Sequence, residues 1–289
     1  MRQWICRPLG VLRVLVLGAP LAFGVPLGLV SHGAVGAALS SKRGIASSQY
    51  LASNPGKLSK LGASWAYDWS ATAPLATGGL MWVPMIAKEP SLTPSTINQL
   101  RAAGRAGRVR YLLGFNEPDS ASQSNLTPQQ AAALWPQLER TGLILGSPAP
   151  ATPFDGWLAS FMTLARQRHL RVDFIALHYY QDFTNPNAVA ELHQQLVSLY
   201  HQYRRPIWIT EIGAIDIRAW HESMTRTPTD PLAARYMRKL FGMLDALPFV
   251  QRYAWFTDDC WTDIACRFGS LYSANGRTTL AGRTFMTAR

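Results

Sequence analysis

The sequence predicts an α/β fold, a single (β/α)8 barrel of the TIM type. Three observations carry the prediction. Of the 289 residues, the 252 from residue 38 onward make up the folded part, close to the ~250 residues usual for such barrels. Short apolar segments recur eight times, separated by longer amphipathic stretches, which is the pattern of a parallel sheet with helical crossovers. Segments such as Leu80–Ile86 are apolar almost throughout, as strands are when both faces are covered. No glycine-rich nucleotide loop follows the first strand, which argues against an open doubly wound sheet.

Residues 1–37 precede the barrel and read as a secretory signal peptide. Arg2, Arg7 and Arg13 give a basic start, Val14–Val30 is an uncharged apolar run, and small residues follow at 34–38. An uncleaved membrane anchor is the rival reading. The run is 17 residues long, at the short end of the roughly 17–25 that span a bilayer, and it contains Pro20 and Pro26. Cleavage predicts a secreted, periplasmic or cell-envelope protein with no other membrane contact.

The first strand is Arg43–Ala46, followed by a helix over Pro55–Leu61. The second strand, Ala63–Tyr67, leads to a third, Leu80–Ile86, and to a helix over Pro94–Ala106. The fourth strand, Tyr111–Phe115, precedes the helix Pro128–Arg140. Strand Leu143–Gly146 and helix Trp157–Arg168 follow. Next come strand Phe174–His178 with helix Ala188–Tyr203, strand Ile207–Thr210 with helix Pro231–Leu247, and strand Tyr253–Phe256. Thr93-Pro94, Thr127-Pro128 and Asp230-Pro231 each put a capping side chain before a proline that suits the first helical position.

Composition narrows the partners. With 48% hydrophobic and 16% charged residues the chain is globular. Removing the three arginines of residues 1–37 takes the formal charge from +11 to +8. The basic residues are scattered or in short groups, with no run of five and no RNA-binding signature, so no nucleic-acid partner is expected. Cys260 and Cys266 are the only cysteines after residue 37 and predict a short disulfide loop in an oxidising compartment. They lack a matching Cys or His pair for zinc. Asp258, Asp259 and Asp263 beside them lack calcium-loop spacing and read as a solvated loop. No metal or cofactor is expected, and oligomeric state is not readable.

Chemistry concentrates at two strand ends. Leu112-Leu113-Gly114-Phe115-Asn116-Glu117-Pro118-Asp119 runs an apolar strand into a carboxylate, and Ile207-Trp208-Ile209-Thr210-Glu211-Ile212-Gly213 does so again. Strand C-termini form the active-site floor of a parallel barrel. Two carboxylates there, Glu117 and Glu211, suit glycosidic cleavage, in which one donates a proton while the other attacks. His178 and Tyr180, two apart at the end of the sixth strand, face one side, where a tyrosine hydroxyl would bond Glu211. Sugar rings stack on flat aromatic surfaces, and Trp65, Trp82 and Trp255 lie on or beside strands. Core packing is the competing explanation for each tryptophan.

These motifs resemble glycoside hydrolase family 128, the glycosyl hydrolase catalytic core family of endo-β-1,3-glucanases. Lys42-Arg43-Gly44, Ser64-Trp65-Ala66-Tyr67-Asp68-Trp69, Gly114–Asp119, Leu177-His178-Tyr179-Tyr180, Trp208–Gly213 and Leu271–Gly276 carry the likeness. The resemblance implies a retaining double displacement on β-1,3-glucan without a cofactor, with Glu117 as acid/base, Glu211 as nucleophile, Asn116 bonding the sugar 2-hydroxyl, and Tyr180 bonding the nucleophile. One position departs: Tyr179 stands where a tryptophan is expected. Two alternatives stay open: a glycosidase for another β-linked polysaccharide, and a non-catalytic cell-envelope glycan-binding barrel.

Overall fold

Side-chain alternation along eight parallel strands sorts the apolar residues into two layers. In the computed structural model, which describes residues 40–215, 230–260 and 267–288, the strands are β1 (Arg43–Ala46), β2 (Trp65–Tyr67), β3 (Met81–Trp82), β4 (Tyr111–Leu112), β5 (Ile144–Leu145), β6 (Ile175–Asp182), β7 (Ile207–Ile215) and β8 (Val250–Phe256). The helices are α1 (Tyr50–Ser53), α2 (Pro55–Lys60), α3 (Pro94–Arg105), α4 (Pro128–Glu139), α5 (Trp157–Gln167), α6 (Ala188–Tyr203), α7 (Asp230–Ala246) and α8 (Leu280–Thr287). Residues 38–289 form one compact unit.

A continuous ladder runs β3-β2-β1-β8-β7-β6, and β4 pairs with β5 separately. Hydrogen bonds from Leu113 N to Pro84 O (2.9 Å) and Ile86 N to Leu113 O (3.1 Å) join β3 to β4, while Ser147 N to Phe174 O (3.0 Å) joins β5 to β6. These bonds carry the eight strands round the ring. Regular pairing is shorter than predicted at β3, β4 and β5. Pro84 and Pro148 have no N–H to give a ladder, so single bridges such as Met85 with Leu113 replace it.

The inner layer holds Ala46, Trp65, Tyr67, Val83, Leu113, Phe174, Ala176, Trp208 and Ala254. The alternate residues, among them Ile45, Ala66, Trp82, Leu112, Ile175, Leu177, Ile209 and Trp255, pack outward with the helices. Thr93 and Thr127 cap α3 and α4 by accepting from Thr96 N and Gln130 N, as the Thr-Pro pairs predict. Three features go beyond the sequence reading: α1, α8, and the extension of β6 and β7 past their predicted ends. Thr279 caps α8 by accepting from Gly282 N.

The alternation breaks once where it matters. Leu177 pairs with Ile209, but the next residue, His178, pairs with Glu211, so Thr210 is an extra residue on β7. Strict alternation from the inward Trp208 would aim Thr210 inward and Glu211 out. The bulge reverses this and turns Glu211 into the barrel. Residues 1–37 and Cys266 lie outside the described residues. Among those described, no helix is long and apolar enough to cross a membrane.

Candidate active site

Glu117 sits just beyond β4 with a backbone φ of +40°, a left-handed conformation uncommon for a residue with a Cβ. Its surroundings fix it there: Glu117 N donates to Ala149 O (2.9 Å) and Ser120 N donates to Glu117 O (3.0 Å). Asp119 then ties this turn to the loop after β5, accepting from Ala151 N (2.8 Å), Thr152 N (2.9 Å) and Thr152 Oγ1 (2.6 Å). The Glu117 side chain keeps 16% exposure.

Glu211 is 4% exposed and almost wholly hydrogen-bonded. Oε1 accepts from Tyr67 OH (3.0 Å) and Trp69 Nε1 (2.8 Å), and Oε2 accepts from Tyr180 OH. Burial, then the Glu211 charge, pushes the Tyr67 and Tyr180 hydroxyls well above the ordinary phenol value, so both remain protonated donors. Three donors converging on one carboxylate fix its orientation. Gly213 lets β8 approach, since a Cβ there would lie 2.6 Å from Phe256 O.

His178, fully buried, stands between the two acids. Its Nδ1 is 3.0 Å from Glu117 Oε1. Its Nε2 is 3.3 Å from Glu211 Oε1, at an angle that makes no hydrogen bond. Burial opposes the imidazolium, but the charges of Glu211 and Glu117, the Glu117 hydrogen bond and Asp119 outweigh it and raise the pKa above the ordinary 6.5. Glu117, His178 and Glu211 each offer a ligand atom within 4.8 Å of the others, a spacing open to a divalent cation. Both Glu211 oxygens already accept from protein donors, however, so the set is matched internally. Two carboxylates this close, one partly open and one held by donors, form a pair suited to acid/base and nucleophilic roles.

The glycosyl hydrolase catalytic core model matches residues 44–285. A subgroup I endo-β-1,3-glucanase of family 128 from Amycolatopsis mediterranei, solved as a mutant with laminaripentaose, is 36% identical over 86% of this chain and 100% of its own, with a TM-score of 0.73. The chain belongs to glycoside hydrolase family 128. A subgroup II endo-β-1,3-glucanase from Pseudomonas viridiflava is 31% identical (86% and 98% covered, TM-score 0.67). A subgroup III curdlan-specific exo-β-1,3-glucanase from Blastomyces gilchristii is 26% identical (85% and 97%, TM-score 0.66). No curated protein matches. This family 128 member is thus a glycoside hydrolase with the predicted (β/α)8 architecture.

The structure brings Glu117, His178, Tyr180 and Glu211 together, with Asn116 adjoining. Asn116 is 5% exposed; its Nδ2 donates to Gln123 Oε1 (3.3 Å), while Oδ1 is buried without a partner. The three predicted sugar-stacking tryptophans are corrected. Trp65 is 0% exposed, points inward at the start of β2 and donates to Lys42 O (3.0 Å), near the N-terminal end of the barrel. Trp82 and Trp255, at 7% and 0% exposure, face the outer layer, and Trp255 donates to Gly269 O (2.7 Å). Strand parity decides this: the inward neighbour of Trp255 is Phe256, whose ring lies 5.6 Å from Tyr180 and 6.1 Å from Trp69. Tyr67 and Trp69 stand out in the sequence only as aromatics after the second strand; their role as donors to Glu211 is accessible by the argument used for Tyr180, a polar aromatic tip at a strand's C-terminal end. The Cys260–Cys266 pairing lies outside the described residues.

Proposed function

We propose that this enzyme is a secreted endo-β-1,3-glucanase acting by retaining double displacement, with Glu211 as nucleophile and Glu117 as acid/base. The observation that carries the reading is the spacing: carboxylate oxygens of Glu117 and Glu211 lie within 4.8 Å, compatible with the carboxyl separation of about 5–5.5 Å in retaining enzymes and short of the roughly 6.5–9.5 Å of inverting ones. Glu211 attacks the anomeric carbon as the glycosidic C–O bond breaks, and Glu117 gives its proton to the departing oxygen. Glu117 then takes a proton from water, the resulting oxygen attacks the same carbon, and the ester bond to Glu211 breaks to restore the carboxylate.

Tyr67, Trp69 and Tyr180 hold the Glu211 carboxylate aligned, and the unpartnered Oδ1 of Asn116 supports a role in accepting from the sugar 2-hydroxyl. The relatives solved with laminari-oligosaccharides support β-1,3-glucan as the substrate. The N-terminal segment and the cysteine pair support export to an oxidising compartment, with residues 1–37 removed and Cys260 joined to Cys266. Glu117→Gln should abolish turnover of laminarin while retaining laminari-oligosaccharide binding. NMR of the first-formed product should show the β anomer; α product would overturn retention. Release of sugar only from β-1,4-glucan, xylan or mannan would overturn the substrate.

A further inference from the structure

Phe154 is one of three large apolar side chains left exposed among the described residues, and the only aromatic one of the three, at 39%. It lies in the loop between β5 and α5 and lines a cavity of about 190 Å³ together with Thr152, Asp155, His178 and Tyr180. Two members of that wall, His178 and Tyr180, also touch Glu117 and Glu211. The ring is braced edge-on by Tyr179, with centroids 6.4 Å apart and planes at 72°. The adjoining backbone is clamped by the bonds from Ala151 and Thr152 to Asp119. An exposed, braced aromatic face beside polar groups suits the C–H face of a sugar ring, with Asp155 and Thr152 at hand for hydroxyls.

We propose that Phe154 is the stacking platform of a glucosyl subsite on the leaving-group side of the cleft, a proposal that rests on the glucanase reading above. The side follows from the acid. Glu117 must reach the oxygen that departs, and the Phe154 loop is fastened to the Glu117 turn through Asp119. Tyr67 and Trp69 approach Glu211 from β2 instead. A sugar held on Phe154 therefore belongs to the departing chain and, in reverse, to an acceptor that attacks the glycosyl-enzyme.

The test compares two substrates. β-Laminaribiosyl fluoride loses a single-atom leaving group that cannot reach Phe154, whereas laminarihexaose places sugars on both sides of the scissile bond. For Phe154→Ala, kcat/KM on laminarihexaose should fall about tenfold, equivalent to ~1.4 kcal/mol at 25 °C, mainly through KM. The loss on the fluoride should stay within about twofold, and Phe154→Trp should restore hexaose cleavage. Unchanged hexaose kinetics, or equal falls on both substrates, would overturn the subsite. A wild-type enzyme inactive on both laminarihexaose and laminarin would instead overturn the glucanase reading, and the subsite with it.

Discussion

Glu211 collects donors from two strands and a loop, which makes each donor separable by mutation. Tyr180→Phe removes one hydrogen bond to a buried carboxylate while keeping the ring that packs on Phe256. Bonds to charged groups are worth about 1.5–3 kcal/mol, so kcat should fall roughly 10–100-fold with KM little changed. Tyr67→Phe should act alike, and full activity in either variant would remove the donor argument. His178 makes a pH prediction. Its folded pKa lies above the unfolded 6.5, so the stability its proton contributes is fully present below about pH 6.5 and is lost as pH rises through the folded value. Melting temperature measured from pH 6 to 9 should decline more steeply in the wild type than in His178→Gln. Parallel curves would show that His178 is neutral throughout.

At the scale of the element, parity decides which chemistry the sequence discloses. His178 and Tyr180 follow an unbroken β6, so counting by twos puts them on one face, where the structure has them. Glu211 is different, because the extra residue Thr210 resets the count on β7 and only the hydrogen-bond register reveals it. Trp255 fails for the related reason that nearness to a strand end says nothing of which side a residue takes. Of the acidic cluster read as a solvated loop, Asp258 is corrected, being 0% exposed, while Asp263 lies outside the described residues. The Asp258 carboxylate accepts from Ser47 Oγ (2.7 Å), Ser48 N (2.8 Å) and Tyr50 N (2.7 Å), fastening the end of β8 to the start of α1. A hub assembled from residues about two hundred positions apart has no local signature. Asp258→Ala leaves several buried donors unpaired and should cost about 3 kcal/mol or more, lowering Tm by roughly 6–12 °C in a calorimetric scan. A Tm within a degree of wild type would mean that water replaces the carboxylate.

Across the whole molecule, eight strands and their order were legible because alternating apolar and amphipathic segments admit few arrangements. How the chain's last helix seals the barrel was not. Arg43, which opens β1, is 0% exposed. It donates to Phe285 O (2.6 Å) and Ala288 O (2.9 Å), lies 3.7 Å from Asp245, and sits 4.4 Å from the centre of the Phe241 ring. One side chain therefore joins β1 to α7 and to the C-terminal end of α8, and no nearby residue in sequence announces it. Arg43→Met keeps much of the volume but strands the two carbonyls, while Asp245 loses its cation and keeps Tyr253 OH (3.0 Å). Leaving a buried hydrogen-bonding group unpaired costs about 1–3 kcal/mol, so with two carbonyls stranded Tm should fall by about 10 °C. Because the lost bonds anchor α8, amide exchange in Leu280–Thr287 should accelerate before that of β6 and β7. Uniform acceleration would mean that Arg43 supports the barrel as a whole and that α8 is held by Phe285 and Ala281 packing alone.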